Sequence, residues 1–176
     1  MKSIPRCFLA FCVTLAAMIC HASEPIVSGR GIGDLIIGQV PPTLTAERLL
    51  SRQWQEDENG ELYELLIVSV RGIPVHVEVY GGRIWRISIM RPGLRTEDGS
   101  QAGDSVQKLL YANQSLRREL GPGPSLVLIP EKFCGISYMT DADLPESVMQ
   151  NPNGKLSTRF AKGTRIRWIF VTGCEA

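Results

Sequence analysis

Three apolar, β-branched runs follow one another at residues 62–70, 73–80 and 83–90, separated only by Arg71-Gly72 and Gly81-Gly82. Two-residue glycine turns between such runs specify β-hairpins, because turns with positive φ match the twist of the strands they join. Counting back from each turn sets the register. Val70 faces Ile73, Val68 faces Val75, Leu66 faces Val77, and Val79 faces Ile84. That face is almost wholly aliphatic and is expected to be the core, since side chains alternate between the two faces of a strand. The other face is expected to carry Tyr63, Leu65, Ile67, His76, Glu78, Tyr80, Trp85 and Ile87. It is mixed, aromatic and partly charged, so either the protein's own helices or a partner covers it.

Around this meander the signals are shorter. Glycines crowd residues 29–38, but the stretch fails both phosphate-loop patterns. Gln39 and Val40 stand where a P-loop needs lysine and a hydroxyl, and Ile36 stands where a dinucleotide loop needs glycine. It is expected to be a flexible lead-in (29–33), a short strand (34–37) and a turn at Gly38. Residues 45–50 read as a short helix capped by Thr43 or Thr45. Residues 106–111 read as a second, capped by Asp104 or Ser105, with Val106, Leu109 and Leu110 as its buried stripe. The order "glycine turn, cap, short helix" thus occurs twice, which points to degenerate pseudo-repeats near 29–90 and 91–176. Gly121-Pro122-Gly123-Pro124 reads as a break between helix and strand, followed by strands at 126–129, 135–140 and 165–172. The expected class is α+β: an antiparallel meander with a few short helices packed on it.

The N-terminus reads as an export signal. Lys2 and Arg6 precede a 13-residue apolar run at 7–19, too short to span a bilayer, and Cys20-His21-Ala22 offers a cleavage site. Cys20 is no lipid attachment site, because Ile19 sits where a small residue is required. Residues 1–22 are therefore expected to be a cleaved signal peptide and residues 23–176 a single periplasmic domain with no transmembrane segment. Cleavage removes Lys2 and Arg6, taking the formal charge from +1 to −1. That excludes nucleic-acid binding by bulk charge. Only Cys134 and Cys174 then remain of the cysteines, and two cysteines in an exported chain are expected to pair. Such a bridge closes a loop of about 40 residues, worth roughly 3–4 kcal/mol in the chain-entropy treatment.

The catalytic inventory is poor. His76 is the one histidine after cleavage, two residues from Glu78 on the same strand face. The pair has the residue types of a general base and its orienting carboxylate. No metal ligand set and no cofactor are expected, since a zinc site takes three or four ligands. Asp141, Asp143 and Glu146 lack EF-hand spacing and read as a solvated loop capping a short helix near Pro145. Glu56, Asp57 and Glu58 form an acidic turn, while Lys155, Arg159, Lys162, Arg165 and Arg167 make the C-terminal region basic.

Two stretches carry a resemblance. Asp34-Leu35-Ile36-Ile37-Gly38-Gln39 ahead of a short helix is one. Ile84-Trp85-Arg86-Ile87-Ser88-Ile89 with Thr96-Glu97-Asp98-Gly99 and Gly103-Asp104-Ser105 is the other. Together, over residues 29–50 and 84–111, they resemble small bacterial envelope proteins of the RpoE-regulated lipoprotein type. More distantly they resemble the BamE and β-lactamase-inhibitor-protein folds. The resemblance implies short helices on an antiparallel sheet and work by protein binding. The expected function is accordingly a periplasmic protein-binding module: an inhibitor or immunity protein for a cell-wall enzyme, or an envelope accessory factor. Its expected contacts are Glu56, Asp57 and Glu58, which would steer a basic partner, and the anchors Tyr63, Tyr80 and Trp85. The alternatives are a small hydrolase built on His76 and Glu78, or a small-ligand carrier using the mixed sheet face.

Overall fold

A computed structural model describes residues 26–122, 125–143 and 158–174. Its centre is an eight-stranded sheet in which every neighbouring pair is antiparallel. A small four-stranded sheet and two short helices complete the described residues. The small sheet contains β1 (Ile26–Ser28), β2 (Gly31–Ile32), β3 (Leu35–Ile36) and β8 (Arg95–Thr96), in the order β3-β2-β1-β8. The large sheet contains two meanders. One is β4 (Leu49–Glu56), β5 (Leu62–Val70), β6 (Ile73–Tyr80) and β7 (Arg83–Ile89). The other is β9 (Leu116–Leu120), β10 (Ser125–Pro130), β11 (Ile136–Asp143) and β12 (Ile166–Val171). Their last strands meet in the middle, giving β4-β5-β6-β7-β12-β11-β10-β9. Helix α1 (Val106–Ala112) precedes the second meander, and α2 (Thr158–Gly163) precedes β12. Among the described residues, no helix is long and apolar enough to cross a membrane.

The core lies on the face predicted for it. Leu66, Val68, Val75, Val77, Val79 and Ile84 are buried there, and β5 and β6 pair in the register set by the Arg71-Gly72 turn. The second meander adds Leu126, Leu128, Ile136, Tyr138, Ile169 and Val171. Both helices join this same cluster, through Val106 and Leu109 of α1 and Ala161 of α2, as do Val27, Ile32 and Leu35 of the small sheet. Ser105 caps α1 by accepting the Lys108 amide, as its position ahead of the apolar stripe predicted.

Several local expectations fail. Residues 45–50 form no helix. The Thr45 carbonyl accepts the Arg48 and Leu49 amides in one turn, and the chain then leaves to pair with β5. Helix nucleation is unfavourable over so few residues, so a ladder of sheet hydrogen bonds prevails. Residues 116–120, ahead of the Gly121–Pro124 break, are strand β9 rather than helix. Residues 141–143 belong to β11 rather than to a loop, and the Asp141 carboxylate accepts the Arg165 amide. The loop and helix expected around Glu146 and Pro145, with Lys155, lie outside the described residues, as do residues 1–22.

The glycine stretch is no flexible lead-in either. Cys134 and Cys174 are bridged, with Cα atoms 5.2 Å apart, and Gly29 is pressed against that bridge. A Cβ on Gly29 would sit 1.7 Å from the Cys134 carbonyl oxygen, so only glycine allows the β1–β2 turn this close to the staple. Gly135, at φ +74°, completes the contact against Gly173 and the Gly29 carbonyl.

Candidate functional site: an acid-fringed aromatic groove

The outer face of the large sheet holds the candidate residues, and a bulge decides which of them share it. Glu78 pairs with Arg86 and Val79 with Ile84, leaving Trp85 as an extra residue in β7. One extra residue reverses the facing of everything after it. Ile87, expected beside Trp85 on the outer face, is therefore fully buried opposite Val77 in the core. Arg86 takes its place outside. The spacing Ile84-Trp85-Arg86-Ile87, three rather than two between apolar residues, was the available signal.

Sheet twist gathers these residues into a groove of about 590 Å³. Its lining includes Asp57, Glu58, Tyr63, Glu78, Tyr80, Trp85 and Arg86. Pro122, from the turn after β9, also lines it. The β4–β5 and β9–β10 turns lie at diagonal corners, because the strands alternate in direction across the whole sheet. A twisted sheet is saddle-shaped, and one diagonal pair of corners bends towards the same face. Both described helices pack on the inner side, so neither covers this groove.

The rings are accessible to different degrees. Trp85 is 55% exposed and Tyr80 38%, whereas Tyr63 is half-buried and its hydroxyl donates to Gln55 Oε1 at 2.6 Å. Asp57 shapes the acidic turn by accepting the Asn59 and Glu61 amides on Oδ1 at 2.8 and 2.9 Å. Glu56 does not join its neighbours. It pairs with Leu62, placing it on the inner-face side of the hairpin, where it does not line the groove.

His76 and Glu78 share the outer face, as counted, but Glu78 is committed elsewhere. Arg86 meets both of its carboxylate oxygens, at 2.9 and 2.8 Å, and lies 5.4 Å from the centre of the Phe170 ring. Burial lowers the His76 pKa, against the opposing pull of the Glu78 charge. His76 is not part of the groove lining. Among the described residues no group of three or more histidine, cysteine or acidic side chains is placed to hold a metal.

A polar knot on the inner side was invisible in the sequence as a unit. Asp98 Oδ1 accepts the Thr96 hydroxyl at 2.7 Å and the Ser100 amide at 2.9 Å. Its Oδ2 accepts Asn113 Nδ2 at 2.7 Å, and the Tyr138 hydroxyl lies 2.9 Å away. Burial disfavours the Asp98 charge, yet these hydrogen bonds outweigh it and hold the pKa below the usual carboxylate value. Burial, then the Asp98 charge, pushes the Tyr138 hydroxyl well above its ordinary range. The knot ties the β8 turn, the end of α1 and β11 together. Thr96-Glu97-Asp98-Gly99 was legible as a turn, but its partners are 15 and 40 residues away.

Fold and groove together define a class: a disulfide-stapled, sheet-dominated protein whose curled outer face presents aromatic and acidic side chains. No protein-family model matches the chain, and no curated protein does. Among solved structures it is similar to the crystal structure of the uncharacterized protein yfeY from Escherichia coli, with a TM-score of 0.60 and 19% sequence identity. The likeness covers 84% of this chain and 99% of that one, and at this identity it speaks to the fold alone.

Proposed function

We propose that this chain is an exported protein-binding module of the periplasm or envelope, of the inhibitor, immunity-protein or accessory-factor kind, and that the outer groove is its contact surface. The carrying observation is convergence. Sheet curl brings Asp57, Glu58, Tyr63, Tyr80 and Trp85 into one concavity, although they come from two different hairpins. Exposed tryptophan and tyrosine in a concave setting are the side chains that dominate protein interfaces. The disulfide fits an oxidising compartment, and the apolar run at 7–19 fits export. Pairing of two similarly ordered meanders supports the pseudo-repeat and the α+β description.

Recovery of partners from envelope extract tests this reading. The native protein is expected to retain a specific protein that the folded Trp85→Ala variant loses, and equal recovery by both would place the contact elsewhere. A second reading, a small-ligand carrier, draws on the groove's volume, which lies in the range of small-molecule sites. The hydrolase reading on His76 and Glu78 draws less, since Arg86 occupies the carboxylate.

A further inference from the structure

We infer that the outer groove receives a cationic side chain, an arginine or lysine presented by the partner protein. This rests on the reading of the groove as a protein contact and specifies its chemistry. Of the four charged residues in the lining, Glu78 and Arg86 neutralise each other. Asp57 and Glu58 remain, and neither takes part in the ion pairs observed among the described residues. Their turn is already formed, because Asp57 Oδ1 is bound to two backbone amides, so no ordering is needed before a cation arrives.

The same groove is lined by Tyr63, Tyr80 and Trp85, whose π-faces attract cations through the ring quadrupole. An alkyl stem lying on an indole with its charged head among carboxylates satisfies both parts of the lining. The same sheet face already contains this chemistry. The Arg86 guanidinium meets an aromatic ring, Phe170, and a carboxylate, Glu78. An anionic partner would meet two unneutralised carboxylates and no free cation in the lining. A neutral sugar or apolar ligand would leave their charges unused.

Four short peptides differing in one central residue (arginine, lysine, citrulline, glutamate) provide the probe. The readout is the Trp85 indole N–H resonance of the native protein, assigned with Trp85→Phe. The arginine and lysine peptides are expected to shift it saturably. Citrulline, the neutral isostere of arginine, is expected to bind at least about tenfold more weakly, and glutamate to give no shift. Raising ionic strength to about 0.5 M is expected to weaken the arginine peptide several-fold. Glu58→Gln, which leaves the turn's hydrogen bonds intact, is expected to weaken it about threefold or more, while Glu131→Gln, outside the groove, leaves it unchanged.

Equal binding of the arginine and citrulline peptides would overturn the inference, as would the absence of any Trp85 response to the cationic peptides. So would a response to a neutral oligosaccharide in their place, which favours the carrier reading. The extract experiment is independent of charge. A partner lost in Trp85→Ala but insensitive to Glu58→Gln leaves the protein-contact reading standing and removes only the cation.

Discussion

Leu65 and Leu66 are neighbours on β5, and both are shielded from water, but they belong to different kinds of surface. Leu66 stands on the inner face among valines and isoleucines, in the one buried cluster that the small sheet and the helices also join. Leu65 stands on the outer face, where its cross-strand neighbour is Glu78 and the surroundings are Tyr63, His76 and Arg86. One face of the same three strands is closed and apolar. The other is curled, mixed and open at Trp85 and Tyr80. The difference teaches that the sheet has one face closed around the core and one left open to solvent at Trp85 and Tyr80, and substitutions should separate the two.

The largest effect is expected inside. Leu66→Ala removes a fully buried side chain from a core that cannot collapse freely around the loss, and should cost about 2–5 kcal/mol in urea unfolding. A cost below about 1 kcal/mol would mean that the inner face is not the closed core described here.

An intermediate effect is expected at the inner polar knot. Asp98→Asn keeps the shape but replaces an acceptor oxygen with a donor facing Asn113 and Tyr138 or Thr96 and the Ser100 amide, and should cost about 1–3 kcal/mol at neutral pH. The sign of its pH dependence is fixed. The folded-state pKa lies below the ordinary carboxylate value of 3.8. The stabilisation is therefore complete above the unfolded-state value and is lost as pH falls through the lower, folded one. Native and Asp98→Asn stabilities should converge as the pH is lowered below 4. A gap that stays constant down to pH about 2 would show that the charge of Asp98 contributes nothing.

The smallest effect is expected outside. Trp85→Ala at the exposed bulge should change stability by about 0.5 kcal/mol or less, while abolishing capture of the partner. A loss as large as that of Leu66→Ala would mean that Trp85 is structural and would blur the distinction between the faces.

How much was legible depended on range. The strands of the β5–β7 meander, the β5–β6 register and the aliphatic face were readable because they follow from period-two alternation and two-residue turns, all of them local. The Cys134–Cys174 pairing was readable because, of the five cysteines, these two alone lie outside residues 1–22. Helix α1 was readable from Ser105 and the stripe behind it. Edge strands β4 and β9 were passed over, with only the first two residues of β4 falling in the helix expected over 45–50, because an edge strand is defined by the neighbour it pairs with rather than by its own pattern. The bulge at Trp85 misplaced Ile87 for a related reason: alternation assumes one residue per step.

The candidate contact residues were nameable from composition and facing, but their convergence was not. By itself the sequence determined an antiparallel meander with one apolar face, an acidic hairpin tip and a paired disulfide. Tertiary structure alone decided that the two meanders join through β7 and β12, and that Gly29 packs on the staple. It also decided that Asp98 finds Asn113 and Tyr138, and that diagonal hairpin tips curl towards a single groove. The physical reason is that pairing, twist and close packing are relations between distant segments. Local propensity fixes which faces a strand offers, whereas the summed twist of eight strands fixes what those faces come to enclose.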